Sequence, residues 1–313
     1  MIKSFFRLIR WPNLIIILAS MIFMLWFIIK PGLGLTSGNQ GLTIAEFILL
    51  ALAVIFTAVG GYIINDIKDV KSDMINKPGR NEVGLAFTPK QAYRIYLVFA
   101  IAGIVFGTWV SVLLHKTGFS LIFLLTAGLL WFYANAYECQ PLTGNLVVAF
   151  LSALSFALVF LYELFAFQLL QAPVLIKPHV LHLVLNIVLI YMSFAFLVSL
   201  IREILKDMED VKGDEQTGCH TYPVVYGIHK AKIVALVVEF TGLITAFWFQ
   251  GYFYGKGFFL LVLYFSLIDL LFGWVIVKTL LAKEKSHFTT LSILTKVLML
   301  AGILSMVLFY FEF

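Results

Sequence analysis

Nine stretches of the chain are apolar enough and long enough to cross a lipid bilayer: roughly residues 11–30, 44–65, 93–114, 118–136, 144–168, 180–204, 231–250, 257–280 and 291–311. Each holds about 20 mostly apolar residues, the length a helix needs to span the hydrocarbon core. Only the short turn His115-Lys116-Thr117-Gly118 separates the third stretch from the fourth. The polar segments between stretches leave no room for a soluble domain. The pattern therefore predicts an all-α integral membrane protein of about nine transmembrane helices, with residues 1–313 forming a single membrane domain.

Charge sets the expected orientation. With the N-terminus in the cytoplasm, seventeen Lys and Arg residues fall in cytoplasmic segments and four (Lys30, Lys116, Lys177 and Lys256) fall outside. Lys296, near the start of span nine, completes the 22. This asymmetry is what the positive-inside rule requires, and a missed early helix would scramble it. Composition agrees: 62% of residues are hydrophobic, 12% are charged and the mean hydropathy is +1.00. Soluble domains average about 45–50% apolar and about 25% charged. The net charge of +5 does not imply a nucleic-acid partner, because the basic residues border apolar spans and no nucleic-acid motif accompanies them. The first apolar run leads into Lys30-Pro31-Gly32, so no cleavable signal peptide is expected. Cys139 and Cys219 both fall in short segments assigned to the cytoplasmic side. Disulfides are rare there, and free thiols are expected.

The two longest polar segments, about 65–90 and 206–229, both open with aspartates on the cytoplasmic side. The first reads Asn65-Asp66-Ile67-Lys68-Asp69-Val70-Lys71-Ser72-Asp73 and the second Asp207-Met208-Glu209-Asp210-Val211-Lys212-Gly213-Asp214. Asp66, Asp69 and Asp73 match Asp207, Asp210 and Asp214 at one offset, and the Val-Lys pair recurs with them. Positions i, i+3 and i+7 share a helix face, so each motif presents three carboxylates in a row. Like charges this close repel one another, and lipid-side burial adds to the cost. A cation would relieve both. Mg²⁺ takes one or two carboxylates together with substrate phosphate oxygens. A single acidic segment is explained by charges following a helix end; two with the same spacing and direction point to metal chemistry. A cation-coupled transporter places its acids near the bilayer midplane on broken helices. Here they sit at helix ends, and spans two and six exit in the same direction.

These residues resemble the UbiA-type membrane prenyltransferase superfamily. Its N-D-x-x-D-x-x-x-D motif is complete at Asn65, Asp66, Asp69 and Asp73, and Asn76-Lys77-Pro78-Gly79-Arg80 is similar to its N-x-P-x-R stretch. The second motif runs on from Gly213-Asp214 through Gly218, Thr221, Pro223 and Gly227, similar to G-D-x-x-x-G-x-x-T-x-P-x-x-x-G. Arg10-Trp11-Pro12-Asn13 resembles the family's approach to helix one. Gly144-Asn145-Leu146-Val147-Val148-Ala149 resembles its approach to helix five. Two departures stand out. Asn81 follows Arg80 where the family usually has proline, and the 135–140 connection lacks the family's cation. Within the superfamily, the segment Arg202 to Asp210 looks most like digeranylgeranylglyceryl phosphate synthases.

The resemblance implies a helical bundle around a central cavity open to lipid, in a multi-pass protein of the cell membrane. It implies Mg²⁺-dependent transfer of a prenyl group, geranylgeranyl in the branch it most resembles, from a prenyl diphosphate to a lipophilic acceptor. In that branch the acceptor is geranylgeranylglyceryl phosphate, in ether-lipid synthesis. The alternative is an aromatic prenyltransferase of quinone, haem or chlorophyll-type biosynthesis. Asp66, Asp69, Asp73, Asp207, Asp210 and Asp214 are the expected metal ligands, with Asn65 completing coordination through its amide oxygen. Lys71, Arg80, Lys206 and Lys212 are candidates for the diphosphate oxygens. Asn145 is a further substrate-contact candidate, and Arg202 is one for an acceptor phosphate, its other role being a salt bridge to Glu203 or Asp207. Tyr62 and Tyr133 are candidate walls for an allylic cation. Of the acids within spans, Glu163 is expected to line the cavity, while Glu239 and Asp269 have no assigned role. Gly60-Gly61 either bends its helix or lets another backbone approach.

Overall fold

The computed structural model describes residues 1–35, 41–79, 81–169 and 177–312. Among them, nine helices are long and apolar enough to cross a membrane: Trp11–Gly32, Ile44–Lys68, Pro89–Leu113, Thr117–Tyr137, Thr143–Phe167, Pro178–Thr217, Ile228–Gly255, Phe259–Leu281 and Lys285–Glu312. They are called spans one to nine below. The chain is a multi-pass integral membrane protein. In the hydrocarbon core a backbone must satisfy its own hydrogen bonds, which leaves helices as the solution for an apolar chain of this kind. The only extended pairing among the described residues is an isolated bridge between Val83 and Phe87.

Local chemistry sets several helix starts. Thr43 caps span two and Thr88 caps span three, each through a reciprocal box with Glu46 or Gln91 three residues on. Pro89 and Pro178 occupy first-turn positions, where a missing N–H costs nothing. Gly218, in the left-handed region at φ 76°, ends span six. Two spans contain a π-helical turn, Met24–Ile29 in span one and Tyr133–Tyr137 in span four.

Sequential neighbours pack together: spans two with three, five with six, seven with eight, and nine against six. Span two runs unbroken past Gly60-Gly61, so these glycines serve close approach and not a bend. A Cβ on Gly61 would stand 2.9 Å from the Leu130 side chain.

Three expectations need correction. Span six, expected over 180–204, does not stop before the second aspartate motif: it continues as one 40-residue helix to Thr217 and carries the whole motif. At 1.5 Å per residue it is about 60 Å long, roughly twice the hydrocarbon thickness, so its motif end projects beyond the apolar layer. Glu163 does not line the cavity. It is fully buried at the opposite end of the bundle, paired with Lys30 at 3.1 Å and accepting from the Leu42 backbone N–H at 2.9 Å. It anchors the connection between spans one and two. The cysteines are not free. Cys139 and Cys219 form a disulfide across 80 residues. Compartment statistics describe how often disulfides persist, not where a fold brings two thiols. Here the turn after span four meets the turn that caps span six. Cys139→Ser will lower the midpoint of thermal unfolding, and reductant will lower that of the wild type but not of the variant. The loop-closure contribution is at most about 4.5 kcal/mol.

The remaining intramembrane acids join spans seven and eight. Glu239 accepts from Thr279 at 2.7 Å, and Asp269 accepts from Gln250.

Candidate active site

An apolar cavity opens between spans one, two, four, five, six, eight and nine. Deep in the bundle its wall includes Phe156, Tyr191, Phe194, Phe265, Phe272 and Met306. Toward the motif end it becomes polar, with Arg10, Asn13, Tyr62, Asn65, Arg202 and Lys206. The wall ends at Asn65 and Lys206, each one residue short of the first aspartate of its motif. The carboxylates therefore stand at the cavity mouth.

The motifs are built differently. Motif one is broken: span two ends at Lys68, Asp69 takes the break, and a short helix Val70–Asn76 carries Asp73. Motif two stays on one straight helix. The short helix packs against span six, and Asn76 is the joint. Its Nδ2 donates to the Asp210 carbonyl at 2.7 Å, and its Oδ1 accepts from the Gly213 N–H at 2.8 Å. A Cβ on Gly213 would come within 2.4 Å of that amide, so the contact requires glycine. Ser72 donates to Asp214 at 3.0 Å, and Lys77 donates to Asp210 at 2.6 Å. The two acidic faces are thus fastened side by side.

Further partners hold individual carboxylates. Arg10 pairs with Asp66 and lies over the Tyr62 ring at 5.2 Å. Asn65 donates to Asp69 at 2.6 Å, and Asn145 donates to Asp207 at 2.8 Å. Asn81 donates to Asp73 at 2.9 Å and to the Asp66 carbonyl at 3.0 Å. The departure from proline at this position therefore supplies a tie between two motif residues. In the cation-free 135–140 connection, Glu138 is the group turned inward, accepting from Tyr133 Oη at 3.3 Å.

Electrostatics shows what this arrangement lacks. Burial pushes the Asp69 carboxyl up to about 7, with Lys206 pulling it back and Asp73 adding repulsion. Burial likewise raises Asp73, against the pull of Lys77. Burial, and then the charge of Asp69, raises Glu138 well above the usual glutamate range. Burial is the largest cause for each of the three, and a cation set among them would favour their charged forms.

Two oxygens bear on whether Mg²⁺ fits. Asn65 Oδ1 and Asp210 Oδ1 are buried with no hydrogen-bond partner among the described residues. Unpaired buried oxygens are costly, and both are hard ligands of the kind Mg²⁺ prefers. No group of three or more His, Cys, Asp or Glu among the described residues is disposed to hold an ion unaided. The donor set fits Mg²⁺.

Of the predicted site residues, Asn65, Tyr133, Arg202 and Lys206 line the cavity; the six aspartates and Asn145 are not in its wall, and Asp66 and Asp207 are each the next residue beyond it on spans two and six. Arg202 pairs with Glu203, not Asp207. Lys71 and Lys212 are exposed and join no ion pair among the described residues. Arg80 lies outside the described residues. Sequence reasoning passed over Arg10, Lys77, Asn76, Glu138 and Lys296. Arg10 and Lys77 lay inside quoted motifs. Lys296 carried the signal of a lone charge within an apolar span.

An apolar chamber whose polar mouth gathers carboxylates keeps an oily tail out of water while its charged head meets the acids. This is the arrangement of a membrane prenyltransferase. The sequence carries the same class: the profile of the UbiA prenyltransferase family matches residues 20–294. The chain belongs to that family and is a prenyltransferase. It is 33% identical over 255 residues to the digeranylgeranylglyceryl phosphate synthase of Sulfurisphaera tokodaii, covering 81% of this chain and 80% of that one. Among solved structures, one of a digeranylgeranylglyceryl phosphate synthase matches with a TM-score of 0.65 at 23% identity, covering 100% of this chain and 99% of that one. A UbiA homologue from Archaeoglobus fulgidus, solved with DMAPP and Mg²⁺, matches with a TM-score of 0.54 at 14% identity, covering 97% and 99%. These structural likenesses show the shared fold.

Proposed function

We propose that the chain transfers a geranylgeranyl group from geranylgeranyl diphosphate to the hydroxyl of geranylgeranylglyceryl phosphate, making a diether lipid precursor. The observation that carries this reading is the pair of acidic motifs fastened together at the mouth of an apolar cavity. The name of the Sulfurisphaera tokodaii relative supports the acceptor. The reading takes residues 1–313 as one domain of the cell membrane, with the N-terminus and both motifs on the cytoplasmic face, where charged donors are soluble.

In the reaction the allylic C–O bond to diphosphate breaks, an ether C–O bond forms to the acceptor oxygen, and the acceptor hydroxyl's proton passes to the departing pyrophosphate. Asp66, Asp69, Asp73, Asp207, Asp210, Asp214 and Asn65 Oδ1 are the residues that would hold Mg²⁺, which would neutralise charge developing on the leaving diphosphate. Lys206 and Lys77 reach the same region and add positive charge there. Arg10 holds Asp66 in place. Asn145 orients Asp207. The Tyr62 and Tyr133 rings face the cavity beside the mouth, where they stabilise an allylic cation. The apolar wall deeper in the bundle takes the prenyl tail and excludes water, which would otherwise capture the cation.

Purified protein in lipid, given Mg²⁺ and labelled geranylgeranyl diphosphate, tests the assignment. Ether lipid formed from geranylgeranylglyceryl phosphate, and lost on chelation, is the expected result. Transfer only to a quinone-precursor aromatic acid overturns the acceptor. Absence of both turnover and Mg²⁺-dependent diphosphate binding overturns the enzymatic reading and favours ion transport.

Acidity gives a second test. Asp69 must be deprotonated to ligate metal, and burial holds its carboxyl near 7. Apparent Mg²⁺ affinity will therefore fall as pH drops through 7, by about tenfold per unit below it for this ligand, and level off above. Mg²⁺ titrations at pH 6 and pH 8 that give the same affinity would exclude Asp69 as a ligand.

A further inference from the structure

Lys296 is the one Lys, Arg, Asp or Glu between Lys285 and Glu312 in span nine, eleven residues past the start of that helix. A lysine at such depth is costly in an apolar layer and turns inward or finds a partner. Lys296 lines the cavity and makes no hydrogen bond or ion pair among the described residues. The charged groups acting on it are Arg202, Arg10, Glu203 and Lys206, three cations and one acid. Three of these are already engaged: Arg10 with Asp66, and Arg202 with Glu203. Arg202 lines the same cavity from span six. Glu203 takes one of its terminal nitrogens, while its Nε is buried with no hydrogen-bond partner.

The polar end of the cavity therefore has two unlike parts. At the mouth, carboxylates outnumber the cations that balance them and call for a metal. Deeper in, Arg202 and Lys296 set two positive charges against the single acid Glu203, and the excess calls for an anion. We infer that Arg202 and Lys296 form a second anion subsite, which holds the phosphate monoester of the acceptor without metal. A phosphate dianion suits such a pair: the guanidinium presents its buried N–H in a fixed plane, and the ammonium adds a mobile point charge. Ser199, one turn before Arg202, lines the same wall and offers a hydroxyl. Below the subsite the wall is apolar, as a lipid acceptor's tail requires.

The inference rests on the acceptor assignment above, extends it to a residue on span nine, and separates the two phosphate-bearing groups in space. Lys296→Met removes the charge and keeps an apolar side chain of similar length, so folding is retained. Steady-state assays would vary geranylgeranyl diphosphate and geranylgeranylglyceryl phosphate separately, and would include the acceptor lacking its phosphate. For Lys296→Met the KM for the phosphorylated acceptor is expected to rise at least tenfold, and that for the diphosphate to stay within twofold. Preference for the phosphorylated over the dephosphorylated acceptor should collapse by a similar factor, and Lys296→Arg should restore part of it. A structural defect would lower turnover of both acceptors alike and leave the preference intact. Wild-type turnover of the phosphorylated acceptor with unchanged kinetics in Lys296→Met overturns the subsite alone, as does an equal rise in the KM of both substrates. No wild-type turnover of the phosphorylated acceptor overturns the acceptor assignment, and the subsite with it.

Discussion

Asp207→Ala will lower kcat/KM for prenyl transfer by about 100- to 1,000-fold, the range found when one preorganised stabiliser of transition-state charge is removed. That is about 2.7–4 kcal/mol of lost stabilisation. Asp207 is the first residue beyond the cavity wall on span six, with Asn145 Nδ2 at 2.8 Å. Its carboxylate thus stands where the allylic C–O bond of a donor with its tail in the cavity would lie. The fold should survive, because the change frees one amide, at a cost of about 1–3 kcal/mol, and relieves repulsion among the acids. Comparison with Asn145→Ala separates the roles. Loss of the orienting amide leaves the carboxylate in place, so its effect should be smaller than that of the aspartate. An Asp207→Ala enzyme within tenfold of wild type would remove this residue from the chemistry.

The second large effect is on stability. Arg10→Met will destabilise the protein by about 3–5 kcal/mol when Mg²⁺ is chelated, because it strands the buried Asp66 carboxylate. Arg10 sits in the left-handed region at φ 51°, a conformation that costs a non-glycine residue about 1–3 kcal/mol. The backbone tolerates this because the side chain pairs with Asp66 and covers Tyr62. Added Mg²⁺ should recover more of the thermal midpoint in the variant than in the wild type, since the ion would share the stranded charge. Equal Mg²⁺ shifts in both proteins would show that Asp66 does not meet the metal.

Spans were legible because membrane helices satisfy their own backbone and expose apolar side chains to lipid, both of which are properties of a local window. The aspartates were legible because a repeated acidic spacing is rare in an apolar chain. What was not legible depends on contacts between distant segments. Lys77 and Lys71 are equally basic, yet only Lys77 reaches Asp210, because the break at Asp69 turns the short helix onto span six. Arg10 reads as a cytoplasmic charge and as part of a family-like stretch, and nothing local shows that its side chain crosses to Asp66. The disulfide joins two turns 80 residues apart, a proximity that no local window shows. Asn81 reads as a departure from the family pattern, and only its bonds to Asp73 and Asp66 make it a replacement tie.

The unequal construction of the two motifs divides the labour of response between them. Span six carries cavity wall and acidic face on one uninterrupted rod, so Asp207, Asp210 and Asp214 move only as the wall moves. Motif one has a break at Asp69, and the segment beyond it is fastened to its surroundings through Asn76, Ser72, Lys77, Asn81 and Lys285. Span six is thus the fixed jaw of a vice and Val70–Asn76 the adjustable one. A change in separation that grips a diphosphate or lets pyrophosphate go is expected at that break, because on span six the acidic face and the chamber wall share one helix.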